Sequence, residues 1–177
     1  PLNQVRVVAS DIGGAFGNKI NSWKSSVVCF AAMKIQRPVK WIESTREFIL
    51  SGPHQRDVFW DGEAAFQKDG RILGVKARFI QDLGVEVSHR DFAGPSIHAA
   101  CASVPNAYRL KGVRIDALGV VTNKSHYGAY RGYGKDKGIK FMERIMDRVA
   151  QECRVDPAEI RRLNFIRAEE FPYRQIS

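Results

Sequence analysis

No Cys-x-x-Cys pair occurs in the chain, and its three cysteines, Cys29, Cys101 and Cys153, are odd in number and far apart. Neither a disulfide framework nor a cysteine zinc site is expected, and the thiols read as reduced and mostly buried in a core. No apolar run reaches the roughly 18 to 20 residues that a membrane span requires. The opening PLNQVRVVAS lacks the charged-then-apolar layout of a secretory leader, so a cytoplasmic chain without membrane association is expected. Acidic residues are outnumbered: 19 Asp and Glu face 28 Lys and Arg, for a net charge of +9. Such a field attracts anions of every kind, from nucleic acid to acidic partners to a phosphorylated cofactor. There is no basic tail, only a modest concentration at Arg161, Arg162 and Arg167, which favours a solvated or partner-facing surface.

What is present fits one globular domain with a real core, since hydrophobic residues make up 44% and charged residues 27% of 177 positions. The chain opens without methionine and closes on the polar FPYRQIS, so a piece of something larger is expected. Residues 5–9 are β-rich, residues 10–19 glycine-rich, and residues 22–36 form a breaker-free stretch that is apolar nearly all round. This predicts a strand, a loop and a buried helix capped by Asn21 or Ser22 and ended by Arg37-Pro38. Residues 39–43 read as a strand, and residues 57–67 and 71–82 as two longer ones joined by Lys68-Asp69-Gly70, a hairpin signal. Val75, Ala77, Phe79 and Gln81 share one face, so this sheet is expected to be covered on one side and wet on the other.

Residues 84–107 are broken by glycine and proline and leave room for one short helix around 96–102, after which residues 112–122 return to strand character. A loop over residues 123–134 leads into the clearest helix, where Ile139, Met142, Met146, Val149 and Cys153 recur at steps of three and four opposite Lys140, Glu143, Arg144 and Asp147. Asp156 before Pro157 caps a further helix to about residue 164. The fold class that follows is α+β, with a mixed sheet and packed helices.

The stretch 128-GAYRGYGKDKG-138 begins like the basic-Gly-aromatic-Gly signature of an RNA-binding sheet domain. That motif must continue as an apolar and aromatic strand, whereas here Lys135-Asp136-Lys137-Gly138 leads straight into helical periodicity. An RNA-binding module is therefore disfavoured. The same order of strand, glycines around one aromatic, then helix occurs earlier as 11-DIGGAFGNK-19. Small residues let a ligand touch the backbone, and a helix N-terminus offers N–H groups to an anion. Lys19, Arg131, Lys135 and Lys137 add charge nearby, and two anion-accepting loops are expected. Neither has Walker or dinucleotide-fingerprint spacing.

DIGGAFGNK resembles the Gly-Gly-x-Phe-Gly-x-Lys loop of the molybdenum hydroxylases, the family of xanthine dehydrogenase, aldehyde oxidoreductase and carbon monoxide dehydrogenase, and AYRGYG resembles that family's second cofactor loop. RPVKWIESTREF, VPNAYRLKGVRI and MERIMDRVAQECRVDPAEIRRLNFI agree in order and spacing, so the resemblance covers most of the chain. It implies that residues 1–177 are the first molybdopterin-binding domain of a larger subunit. In that family the molybdenum centre oxidises an electron-poor carbon and electrons leave through iron–sulfur centres to a flavin. The implied cofactor is molybdopterin with molybdenum, as the cytosine dinucleotide, with 2Fe-2S and FAD in partner subunits and no direct protein ligand to the metal. The catalytic glutamate of the family lies in a segment not included here, so the chain alone is expected not to turn over substrate. A non-catalytic assembly domain of the same fold is the other alternative.

By position, the resemblance puts the N–H groups of Gly14, Ala15, Phe16 and Gly17 and the Phe16 ring beside the metal's apical side. It puts the main chain of Ala129, Tyr130, Arg131 and Gly132 against the pterin or the metal's ligands, and Tyr133 where purine-oxidising members stack substrate on an aromatic. Arg131 is the charged residue expected to act in catalysis. Departures narrow the substrate: Ile20 stands where those members carry a glutamate, Gly132 where copper-binding members carry a cysteine, and Asp136-Lys137 replaces the usual Pro-Glu. An aldehyde or related small carbonyl compound is favoured. Outside the loops, His54 matches a family position near the cofactor but reads equally as a turn histidine, and His89, His98 and His126 share no ligand spacing. Glu43, Glu47 and Asp82 read as solvated or paired carboxylates, and Trp41 and Trp60 as core residues in strands.

Overall fold

The computed structural model describes residues 2–20, 23–85 and 93–176. The proposed caps Asn21 and Ser22, and His89, lie outside them. In chain order the helices and strands are α1 (Trp23–Ile35), α2 (Thr45–Ser51), β1 (Val58–Phe66), β2 (Ile72–Gly84), α3 (Ala93–Ala102), β3 (Gly112–Val121), α4 (Lys135–Cys153) and α5 (Pro157–Asn164). The sheet is mixed, with β2 in the middle: β1 pairs antiparallel to it from Val58↔Gln81, and β3 pairs parallel to it from Gly74↔Gly112.

The alternation in β2 is realised as predicted: Val75, Ala77, Phe79 and Gln81 are buried, while Lys76 and Arg78 on the other face are exposed. Onto the buried face packs α4, through Phe141, Met142, Met146 and Val149. Phe79 and Phe141 meet edge to face at 5.5 Å and Trp60 leans on both, so Trp60 belongs to the core as expected. The stripe predicted on α4 is off by two positions at its start: Ile139 is 41% exposed and Phe141 takes its place inside. The Asp69-Gly70 hairpin is closed by a polar group, since Asn164 accepts from the Ile72 N–H at 2.9 Å and donates to the Gly70 and Ile160 carbonyls. The cap of α5 is as predicted, with Asp156 accepting from Ala158 and Glu159 N–H groups.

The first third of the chain departs from expectation. Residues 5–9 and 39–43 are not strands, because no strand of the described residues pairs with them. The helix predicted over 22–36 forms, but it is not buried: Phe30 is 62% and Met33 72% exposed, and no element of the described residues encloses it. Trp41 is half exposed and meets Trp23 edge to face at 5.9 Å rather than joining the core. Of the thiols, all free, Cys101 and Cys153 are half-buried but Cys29 is exposed on α1. A helix not foreseen, α2, starts with a reciprocal capping box in which Ser44 and Glu47 satisfy each other's N–H groups. Glu43 pairs with Lys24 and accepts from Ser51, so both acids are structural. No helix of the described residues is long and apolar enough to cross a membrane.

Candidate functional site

The two glycine loops meet. The Arg131 N–H donates to the Phe16 carbonyl at 2.8 Å, and a Cβ on Gly17 would lie 2.6 Å from the Ala129 carbonyl oxygen, so only glycine permits this approach. Their shared sequence grammar is matched in the backbone: Phe16 (φ 51°) is followed by Gly17 (φ 98°), and Tyr133 (φ 51°) by Gly134 (φ 93°). An aromatic held at positive φ is uncommon and marks a surrounding that imposes the conformation. The structure thus sets the loop of Gly14, Ala15, Phe16 and Gly17 against the loop of Ala129, Tyr130, Arg131 and Gly132, with the contacts made by Phe16 and Gly17 on one side and Ala129, Tyr130 and Arg131 on the other.

Among the described residues, no backbone acceptor serves the N–H groups of Gly14, Ala15, Phe16, Gly17, Ala129, Tyr130 or Gly132. Asn18 Oδ1, Asp136 Oδ1 and both polar atoms of the Gln55 amide are buried with no hydrogen-bond partner there. The main-chain N–H groups of the two loops suit a group rich in acceptors, whereas three of the four orphaned side-chain atoms, Asn18 Oδ1, Asp136 Oδ1 and Gln55 Oε1, are themselves acceptors. The start of α4 contributes less than expected, because the Lys135 and Lys137 N–H groups donate to the Gly132 and Gly134 carbonyls.

Side chains divide into presented and interior ones. Phe16 is 58% exposed, and the exposed Arg131 guanidinium lies over its ring at 5.7 Å. Tyr133 is half-buried, and burial pushes its phenol up from the ordinary range. Lys137, expected to add charge at the loop, instead points inward and is only 3% exposed. Its ammonium donates to Gln81 Oε1 at 2.9 Å and to the Tyr127 hydroxyl, which also bonds Ser96 Oγ at 2.8 Å. The base of the second loop is thereby tied to β2 and α3 through buried polar bonds. Burial pushes Lys137 down to about 8, with nearby Asp136 opposing and Arg56 assisting, while burial pushes Tyr127 up to about 12.

Beside Tyr127 lies a cavity of about 410 Å³ lined by His54, Gln55, Asp57, Asp82 and Lys124. His54 enters it as a backbone element, bridging Tyr127 through main-chain bonds with His126 and Gly128. Asp82 is held below the usual carboxylate range by the Thr122 hydroxyl, with help from the Gly84 N–H and Lys124, and reads as a structural anion. Among the described residues no cluster of His, Cys, Asp and Glu gathers that could hold a metal ion. Sequence reasoning missed Arg56 and the interior role of Lys137. Arg56 carries no periodic signal, and the departure at Asp136-Lys137 was the only hint of the second.

The family model described as the molybdopterin cofactor-binding domain matches residues 1–165. The carbon monoxide dehydrogenase large chain of Hydrogenophaga pseudoflava is 37% identical over 98% of this chain and 22% of its own length. The nicotine 6-hydroxylase large subunit of Paenarthrobacter nicotinovorans is 34% identical over 94% of this chain and 20% of its own. Among solved structures, quinoline 2-oxidoreductase of Pseudomonas putida 86 superposes with a TM-score of 0.83 at 33% identity, covering 92% of this chain and 21% of that one. The chain therefore spans about a fifth of the length of these relatives.

Proposed function

The chain belongs to the molybdopterin cofactor-binding domain family, and from that premise we propose that its two glycine loops hold the molybdenum cofactor of a multi-subunit hydroxylase acting on an aldehyde or related small carbonyl compound. The observation that carries this reading is the junction of the loops: Arg131 N–H on Phe16 O, with N–H groups on both sides that have no backbone acceptor among the described residues. Gly14, Ala15, Phe16 and Gly17 offer donors and one ring face on one side, and Ala129, Tyr130 and Gly132 offer main-chain donors on the other. When bound, the cofactor supplies two-electron oxidation of a substrate carbon. The chain's own residues bind and orient: amide donors fix the acceptor-rich group without a protein ligand to the metal. The exposed Phe16 ring excludes water, and Arg131 holds that ring by its guanidinium. Tyr133 is the substrate-facing residue of the reading. The cytosine dinucleotide form, 2Fe-2S and FAD in separate subunits, and a cytoplasmic location belong to the same proposal.

Gly132 leaves the second loop without a thiol, and Ile20 leaves the first without a carboxylate beside it, which supports an uncharged carbonyl substrate. The names of two relatives, nicotine 6-hydroxylase and quinoline 2-oxidoreductase, favour as a second reading the hydroxylation of a nitrogen heteroaromatic ring. The whole protein, expressed with its partner subunits, is expected to contain molybdenum and pterin and to be reduced faster by small aldehydes than by heteroaromatics. Preference for the ring compounds transfers the assignment to the second reading, and absence of molybdenum and pterin from an assembled complex refutes both.

A further inference from the structure

Arg56 lies outside both glycine loops yet grips the second. Its guanidinium lies over the Tyr130 ring, with Cζ 4.6 Å from the centroid. In the same plane it donates from Nη2 to the Arg131 carbonyl and pairs through Nε with Asp136 Oδ2 at 3.1 Å. Tyr130 and Arg131 belong to the loop and Asp136 to the first turn of α4, so one flat group ties the loop to the helix it feeds. Only a guanidinium stacks by its face while donating at its edge; an ammonium cannot do both.

Two further observations point to the same residue. Arg56 itself sits at φ 76°, a conformation costly for a residue with a Cβ and retained where the surroundings impose it. The Asp136 carboxylate that it holds fills the space beside Gly132: its Oδ1 lies 2.7 Å from where a Cβ on Gly132 would be, and Gly132 is at φ 102°. Oδ1 is buried and has no partner among the described residues. The carboxylate is half-buried, an idle oxygen shielded from water is costly, and the charge partner that holds the other oxygen is Arg56.

We propose that Arg56 is a positioning residue of the cofactor site: it seats the Asp136 carboxylate against Gly132 and, through the Tyr130 ring and the Arg131 carbonyl, aims the main-chain donors of the second loop. Its consequence for cofactor retention rests on the molybdopterin reading; its effect on the loop does not.

The test uses the full polypeptide assembled with its partners, carrying Arg56→Gln, Arg56→Lys, Asp136→Asn, or Arg56→Gln with Asp136→Asn. Hydrogen exchange is followed in peptides covering 128–136, with 141–150 as the internal control, alongside molybdenum and pterin content. Arg56→Gln should speed exchange over 128–136 by about tenfold or more while 141–150 stays protected. Arg56→Lys should fail to restore it, and the double variant should be no worse than Arg56→Gln. Should Arg56→Gln disturb the control peptide, Arg56→Lys and Asp136→Asn carry the comparison. Unchanged exchange over 128–136, full rescue by lysine, or additive effects overturn the proposal. Faster loop exchange in a complex that never held molybdenum supports the latch and refutes the cofactor reading. A loaded complex whose exchange and loading ignore Arg56→Gln does the reverse.

Discussion

Residues 2–51 and the half built on β2 and α4 use their apolar side chains in opposite ways. Val7 is 89% and Met33 72% exposed, whereas Met142 and Met146 are fully buried. The first glycine loop hangs from the open region, and the second is set into the packed one, anchored by Lys137, Tyr127 and Ser96. The second loop is thus fixed by this chain's own core. The first takes its position from the second, through Phe16 O and the close approach of Gly17 to Ala129.

The largest effect that sharpens this contrast is on stability. Met146→Ala should cost about 2–5 kcal/mol in chemical unfolding of the chain. Met33→Ala should change it by no more than about 0.5 kcal/mol. Comparable losses would mean that α1 is packed after all.

The next effect concerns pH. Below about 8 Lys137 carries its charge in the folded and the unfolded state alike, and the cost of burying that charge is fully present. As pH rises past about 8 the folded state releases this proton first, so stability should climb toward pH 10, by at most about 1.4 kcal/mol per pH unit. Tyr127 acts in the opposite sense at higher pH, because its folded phenol holds its proton up to about 12 while the unfolded one releases it earlier. Lys137→Met should abolish the rise between pH 8 and 10 in denaturant titrations, and a variant that keeps the rise would place its origin elsewhere.

The smallest effect is expected for the side chain that spans the two loops. Arg131→Ala removes a solvent-facing contact with the Phe16 ring worth about 0.5–1 kcal/mol. It should lower cofactor occupancy of the assembled protein while destabilising the chain by no more than about 1 kcal/mol. Unchanged occupancy and turnover would remove Arg131's side chain from the site and leave only its backbone there.

The contrast also explains what could be read from the sequence. The β1–β2 hairpin, the buried face of β2, α4 and the cap of α5 were legible because Asp-Gly, period-2 alternation, period-3.6 recurrence and Asp-Pro are local signals of contacts made within the chain. Residues 5–9 and 39–43 carry strand composition without a strand partner among the described residues, and α1 carries the composition of a buried helix without burial. In each case the local signal is sound but the contact that would use it is not made among the described residues. The box 44-STRE-47 is a local helix-start signal of the same kind, Ser at the cap and Glu three residues on. At the site, the glycines and aromatics of both loops were legible as a motif. Arg56 and the inward turn of Lys137 were not, since they depend on contacts across 75 and 56 positions of sequence.

The account stands on the two loops acting as one clamp, and Gly17→Ala addresses that claim most directly. The added methyl would press on the Ala129 carbonyl at 2.6 Å and would sit at φ 98°, parting the loops without touching the β2–α4 core. Molybdenum and pterin should be measured in the assembled protein with and without this substitution. The clamp predicts a loaded wild type and a folded variant that has lost most of both, whereas equal loading of the two would contradict it.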